Sequence, residues 1–380
     1  MTEQPPRVAA ARRRRSSGSV AAFDSRRLAV GRRLACMTRA ELARRIEVTP
    51  AAVTQFERGA ARPTTTVLTR LGLTLGVPEE FFSRGLDIPE VPPSTAHFRS
   101  LRSTPARRRE QALAFGELAL AVLDLVERYV DLPPMRLRPI GLPPQPSEAD
   151  IADAARRARR ELSVGTGPVP HVVRLLEAHG VLVVRLPAEG FDPRVDAFSS
   201  SETASGRPLV LMSPLKDDKA RSRFDAAHEL GHLLMHAGRE AGSTVIESQA
   251  MSFAAEFLMP QAEIADCLPT RVDWETFHAL KRHWGVSLKA LVYRAHKLGR
   301  LPDLPYRRAN RQLKAWGYPE PGPLGPPESP SVLGAAAELL EQSGTRLGAL
   351  AEAARIPLEC LHAVIAAGRS DRPRLTIGAW

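Results

Sequence analysis

Apolar residues recur at helical spacing along most of this chain, and the breaks in that rhythm are informative. In "ELARRIEV" Leu42 and Ile46 share one face, and in "TPAAVTQFERG" Val53 and Phe56 face inward. Thr38 followed by Glu41 is a capping box, and Thr49 before Pro50 is a second helix start. Gly59 closes that helix, and Pro63 opens the next segment. Further on, Leu113, Leu118, Ala121, Val122, Leu125 and Val126 have the spacing of a helix. The helix-like "ADAARRARREL" and "HVVRLLEAHG" come next. The period then changes: "VLVVRL" (Val181–Leu186) and "PLVLMS" (Pro208–Ser213) are short, β-branched and strand-like. Near the end, Leu333–Ile365 holds two amphipathic runs around "SGTR", with Thr345 as the cap of the second.

Three proline-rich stretches, Ile88–Pro93, Asp131–Pro146 and Gly317–Pro330, punctuate these elements and read as extended linkers. They divide the chain into a flexible basic arm (1–22), a helical module (23–86), a bridging helix (94–131), a mixed module (147–315) and a helical tail (331–380). The fold class expected is multidomain: an all-α domain, then an α+β domain, then a small helical tail.

Charge refines this picture. Residues 1–110 hold 21 Arg and no Lys against 10 acidic residues, so the whole formal net charge of +11 lies there. A localised basic excess suits a polyanion, because each neutralised phosphate releases counterions. No run reaches the ~18 apolar residues of a membrane span; Leu118–Val126 is broken by Asp124. The arginines of the arm precede no apolar core, as a secretory signal would require. Cys36, Cys267 and Cys360 are odd in number and far apart, which fits reduced cytoplasmic thiols.

In the 23–86 module, Ala51, Ala52, Thr54, Gln55 and Arg58 are left on the outer side of the second short helix. Two short helices with such an outer face match a helix-turn-helix, against the competing reading of a packing module that never meets DNA. From Ser25 to Phe82, with "ELA" at 41–43, "VTPAAVTQFERG" at 48–59 and Pro63, the segment resembles the XRE (Cro/repressor-like) family. Double-stranded DNA is therefore the expected partner. Thr49, Ala51, Ala52, Thr54 and Gln55 would meet base edges, and Arg58 phosphates. A homodimer is expected from the two-fold operators usual for this motif.

The sharpest chemistry lies in "AAHELGHLLMH" (226–236). At 100° per residue, Phe224, Ala227, Leu230, Gly231 and Leu234 gather on one side, with Asp225, His228, Glu229, His232 and His236 on the other. His228 and His232 then stand one turn apart and can reach one ion, with Glu229 beside them to take a proton from water. His236 lies about 12 Å along the axis from His228, too far for a ligand, and is expected beside the ligands or at the surface. A third ligand is sought in Val245–Pro260. Glu247 and Glu256 are half a turn apart in projection, so both cannot face one ion. Glu247 shares its side with Ala250, Met251, Ala254 and Leu258, which suit close packing on the first helix.

"RSRFDAAHELGHLLMH", "ESQAMSFAAEFLMP" and "HWGVSLKALVYRAHKLGRL", preceded by "HFRS" at 97–100, resemble the ImmA/IrrE family of zinc metallopeptidases over about 97–301. The resemblance implies a gluzincin-like domain in which His228, His232 and Glu247 bind Zn2+ and Glu229 is the general base. It also implies a repressor protein as the substrate. The family often has Asn where Met251 stands, so outer support of the site is expected to differ here. Two functions follow: a DNA-binding regulator carrying a zinc endopeptidase, or a metal-dependent or partner-sensing transcription factor that does not cleave.

Overall fold

The computed structural model describes residues 22–94, 96–98, 104–192, 195, 197–201, 203, 206–213, 218–239 and 243–366. The basic arm falls outside them except for its last residue, as do Arg99 and Ser100 of "HFRS".

The N-terminal module is helical: α1 (Ser25–Leu34), α2 (Arg39–Arg45), α3 (Pro50–Glu57) and α4 (Thr65–Leu75), followed by a 3₁₀ turn at Glu79–Phe82. Both predicted caps form. Glu41 N donates to Thr38 Oγ1 at 3.1 Å and Thr38 N to Glu41 Oε2 at 2.7 Å, while Ala52 N donates to Thr49 Oγ1 at 3.1 Å. Arg32 of α1 is nearly buried and reaches Glu57 at 2.5 Å, which ties the end of α3 to α1.

A mixed helix-and-sheet domain follows. Its elements are β1 (His97–Phe98), α5 (Ala106–Val126), α6 (Glu148–Glu161), α7 (Val172–Ala178), β2 (Leu182–Arg185), β3 (Phe198–Ser200), β4 (Leu209–Met212), α8 (Lys219–Met235), α9 (Thr244–Leu258), α10 (Gln261–Ile264), α11 (Trp274–Trp284), α12 (Leu288–Lys297) and α13 (Asp303–Trp316). The tail forms α14 (Val332–Gln342), α15 (Leu347–Ala354) and α16 (Leu358–Ala366).

The sheet runs β1-β3-β4-β2, with β1–β3 and β3–β4 antiparallel and β4–β2 parallel. The two apolar runs read as strands are β2 and β4. Strands β1 and β3, at two and three residues, are too short to leave any periodicity in the sequence. Alternation along β2 and β4 splits the interior in two. Leu182, Val184, Leu209 and Leu211 join a core with the N-terminal module, α5 and the tail; Val183, Val210 and Met212 join a second core with α6–α9 and α11–α13.

The helix expected as a bridge is α5, and every residue from Gln111 to Leu123 is buried. Such a helix belongs to a core rather than bridging between domains through solvent. Gly116 allows its close seat on the sheet, since a Cβ there would lie 2.7 Å from Leu209 Cδ2 and 2.8 Å from Leu211 Cδ1. Its buried polar groups have partners in the N-terminal module. Glu117 accepts from Arg26 at 2.9 Å, from Arg33, and from Val91 N at 3.3 Å.

The proline-rich stretches are irregular, as expected, but they are packed rather than free. Ile88, Val91, Leu137 and Ile140 are buried, and Ile140 N donates to Leu234 O at 2.6 Å. In 317–330, Glu328 is buried against Arg223, and Glu320 accepts from Lys281 Nζ at 2.8 Å. Thr345 does not cap α15: Arg346 stands at that position, with no side-chain cap bond. The tail seats on the N-terminal module through Arg27. Its guanidinium, 1% exposed, donates to Phe81 O and Leu86 O on one side and to Ala354 O and Arg355 O on the other, at 2.6–3.1 Å.

Candidate metal centre and DNA-reading face

Helix α8 starts at Asp218, whose carboxylate accepts from Arg221 N at 2.8 Å, and runs beneath the sheet. Inside the H-E-x-x-H stretch stands Gly231. A Cβ there would meet the Phe253 ring at 3.0–3.2 Å, so glycine lets α9 lie close along α8. That approach carries Glu247, in the first turn of α9, to the two histidines one helix away.

Glu247 Oε2 lies 3.2 Å from His228 Nε2, and Oε1 lies 3.3 Å from His232 Nε2. The two imidazole Nε2 atoms are 3.1 Å apart. Among the described residues, His228, His232 and Glu247 form a group whose ligand atoms all lie within 4.8 Å of one another. Glu256 is absent from it, its carboxylate turned to Arg294 and to Gln261 N. Of the apolar partners expected beside Glu247, Ala250, Ala254 and Leu258 are fully buried, whereas Met251 is 37% exposed.

The polar side of α8 is not a solvent face. His228, Glu229 and His236 are 0% exposed and His232 is 1% exposed. His236 is therefore not at the surface. Its Nε2 is 2.9 Å from Gln249 Oε1 and its Nδ1 is 3.1 Å from His232 Nδ1. An amide oxygen only accepts, so His236 Nε2 carries the proton and its Nδ1 is an acceptor. His232 Nδ1 then donates, which leaves the His232 Nε2 lone pair facing Glu247 and His228. Burial, then the neighbouring His232, pushes the His236 pKa down to about 3, consistent with this neutral ring.

Two neighbours were not singled out as site residues in the sequence. His97 of β1, 3% exposed, stacks on His232 with centroids 4.5 Å apart and planes at 13°. Ser199 of β3 donates from Oγ to Glu229 Oε2 at 2.6 Å. "HFRS" was the one sequence signal near His97, and nothing in "FSS" marks Ser199.

Two imidazoles and one carboxylate are the donor set of a zinc site that keeps a coordination position open. A buried pocket with a bare Nε2 presented by hydrogen bonding fits such an ion. The residues present suit the metal.

On the outer side of α3, Thr49, Ala51, Gln55 and Arg58 are exposed, while Ala52 and Thr54 are half-buried. Thr49 accepts the cap bond, and Thr54 Oγ1 donates to Pro50 O at 3.0 Å. Gln55 and Arg58 are thus the long polar side chains at exposed positions of this face.

Fold and site together define a helix-turn-helix module joined to a domain of metallopeptidase type. Residues 32–82 match the helix-turn-helix family model, and residues 176–296 match the peptidase M78 model described as the IrrE N-terminal-like domain. The two matches, on separate stretches of the chain, agree with an XRE-type helix-turn-helix joined to an ImmA/IrrE-like domain. No curated protein matches it. Among the described residues no helix is long and apolar enough to cross a membrane.

Proposed function

We propose that this regulator is a zinc-dependent endopeptidase of gluzincin type that reads DNA through α3 and cleaves a repressor protein. The convergence of His228, His232 and Glu247, with Glu229 next in sequence to the first ligand, carries this reading. A bound zinc ion would supply Lewis-acid polarisation of the scissile carbonyl and a more acidic water. Glu229 accepts the proton from that water and hands it to the leaving amine. Ser199 Oγ, bonded to Glu229 Oε2, keeps the carboxylate in one orientation for both transfers. At the DNA, Gln55 reads a base edge and Arg58 holds a phosphate. A non-cleaving, metal-dependent switch is the second reading. It draws support from the shared core, since the DNA-reading module and one face of the sheet above α8 pack on α5.

Glu229→Gln separates the two, because it preserves shape and hydrogen bonding but cannot take a proton. The peptidase reading expects this variant to keep zinc and DNA binding while cleavage falls about 100-fold or more. Promoter output in cells is measured beside intact-mass analysis of the regulator and co-expressed candidate repressors. A product present with wild type and absent with Glu229→Gln supports the enzyme. Equal regulation and no product under any inducing condition removes it and leaves the switch.

A further inference from the structure

The site has a wall in which the proposed chemistry gives a part to Ser199 and none to its partner, His97. His97 and Ser199 are direct cross-strand partners in the β1–β3 register. Each touches a different functional group: His97 stacks on the ring of His232, and Ser199 donates to Glu229. Both are buried, at 3% and 0% exposure. His97 also makes a hydrogen bond to the backbone of His236, the residue that ends α8. One side chain thus grips both the ring of a ligand and the end of the helix that carries it.

Apolar packing alone does not account for an imidazole here. His97 Nδ1 is buried with no hydrogen-bond partner among the described residues, an arrangement that a phenyl ring would avoid. The cost is tolerated where the other ring nitrogen and the ring face are in use. We infer that the β1–β3 pair is the positioning element of this centre, His97 fixing the ring of the ligand His232 and Ser199 fixing the carboxylate of the base Glu229. The inference rests on the zinc reading above, and it divides the labour. His97 acts on how tightly the metal is held, and Ser199 acts on the proton acceptor only. Outer groups that orient a metal ligand commonly change metal retention by about 10–100-fold.

The test uses the full chain loaded with zinc, then challenged with excess chelator while zinc release is followed. His97→Ala removes both grips, His97→Phe keeps the stacking ring alone, and Ser199→Ala leaves His232 untouched. Zinc release is expected to rise about 10–100-fold in His97→Ala and to be partly restored in His97→Phe. Ser199→Ala is expected to match wild type. The visible bands of the cobalt-loaded protein should shift in His97→Ala and not in Ser199→Ala, a change that loss of packing elsewhere would not produce. Thermal midpoints of the zinc-free variants are measured in parallel. If they fall while zinc release and the cobalt bands stay at wild-type values, His97 is only a core residue and the inference is overturned. Equal loosening in His97→Ala and Ser199→Ala also overturns the divided roles. Wild type that takes up no zinc fails at an earlier point, and sinks the metal reading itself.

Discussion

Replacing Glu117 by alanine tests whether the DNA-reading module and the rest of the chain stand or fall together. The carboxylate is fully buried in α5, with Arg26 at 2.9 Å, Arg33 beside it, and Val91 N at 3.3 Å. Breaking a buried ion pair from one side costs about 3–5 kcal/mol when the remaining charge stays buried. Here the arginine side chains are 28% and 13% exposed, so each can turn partly to water. The expected loss is therefore smaller, about 2–4 kcal/mol. At about 2–4 °C per kcal/mol for a large domain, the melting midpoint should fall by roughly 4–16 °C. The tryptophans make the assay discriminating. Trp274, Trp284 and Trp316 stand in α11 and α13 of the later domain, and the assay is run in a Trp380→Phe background so that only these three emit. Tryptophan fluorescence therefore reports the later domain, while circular dichroism at 222 nm reports every helix. Both midpoints should drop together in Glu117→Ala. A fluorescence midpoint unchanged from wild type, with an early loss of helical signal, would refute the shared core.

Two further outcomes follow from the geometry. Gln55→Ala should relax sequence preference, whereas Arg58→Ala should weaken specific and random duplexes alike and flatten the salt dependence; titrations at several ionic strengths check this, and equal binding of both duplex types by wild type refutes the reading face. For the metal-free protein, burial lowers the pKa of His97 to about 4 and of His236 to about 3, from an ordinary value of about 6.5. The unfolded chain then binds protons first, so stability is full above pH 6.5 and declines by about 1.4 kcal/mol per unit per group toward pH 4. Denaturant midpoints across that window should slope less in His236→Asn than in wild type, and parallel slopes would contradict the buried neutral ring.

Much of the local structure was legible in the sequence because it is set by neighbours in sequence. The Thr38–Glu41 box, the Thr49 cap and the facing of His228 and His232 depend on residues within one or two turns. Helical projection shows that Glu247 and Glu256 cannot both face one ion, and the family resemblance points to Glu247. What escaped depends on pairings across long separations. β1 and β3 are strands only because each finds a partner, and so Ser199 had no visible reason to meet the site and His97 only the likeness of "HFRS". The burial of α5 on every side was hidden because Gln111 and Glu117 look like an outer face until Leu34, Gly190, Arg26 and Arg33 are brought to them. Composition marked 317–330 as a linker, yet its carboxylates Glu320 and Glu328 anchor it to Lys281 and Arg223. The burial of His236 depends on Gln249 of the neighbouring helix and His97 of β1, both distant in sequence.

The seat of Arg27 has a consequence for how the protein is made. Two of its four carbonyl acceptors belong to Ala354 and Arg355, at the end of α15. The DNA-reading helices leave the ribosome early, but this buried guanidinium is not satisfied until the last helices have been translated. At about 5–20 residues per second, the interval is on the order of 15–50 s. A nascent or prematurely stopped chain thus carries Arg27 with two of its four acceptors missing. The seat of α1, among the first helices synthesised, is completed only after the whole peptidase-family domain has been translated.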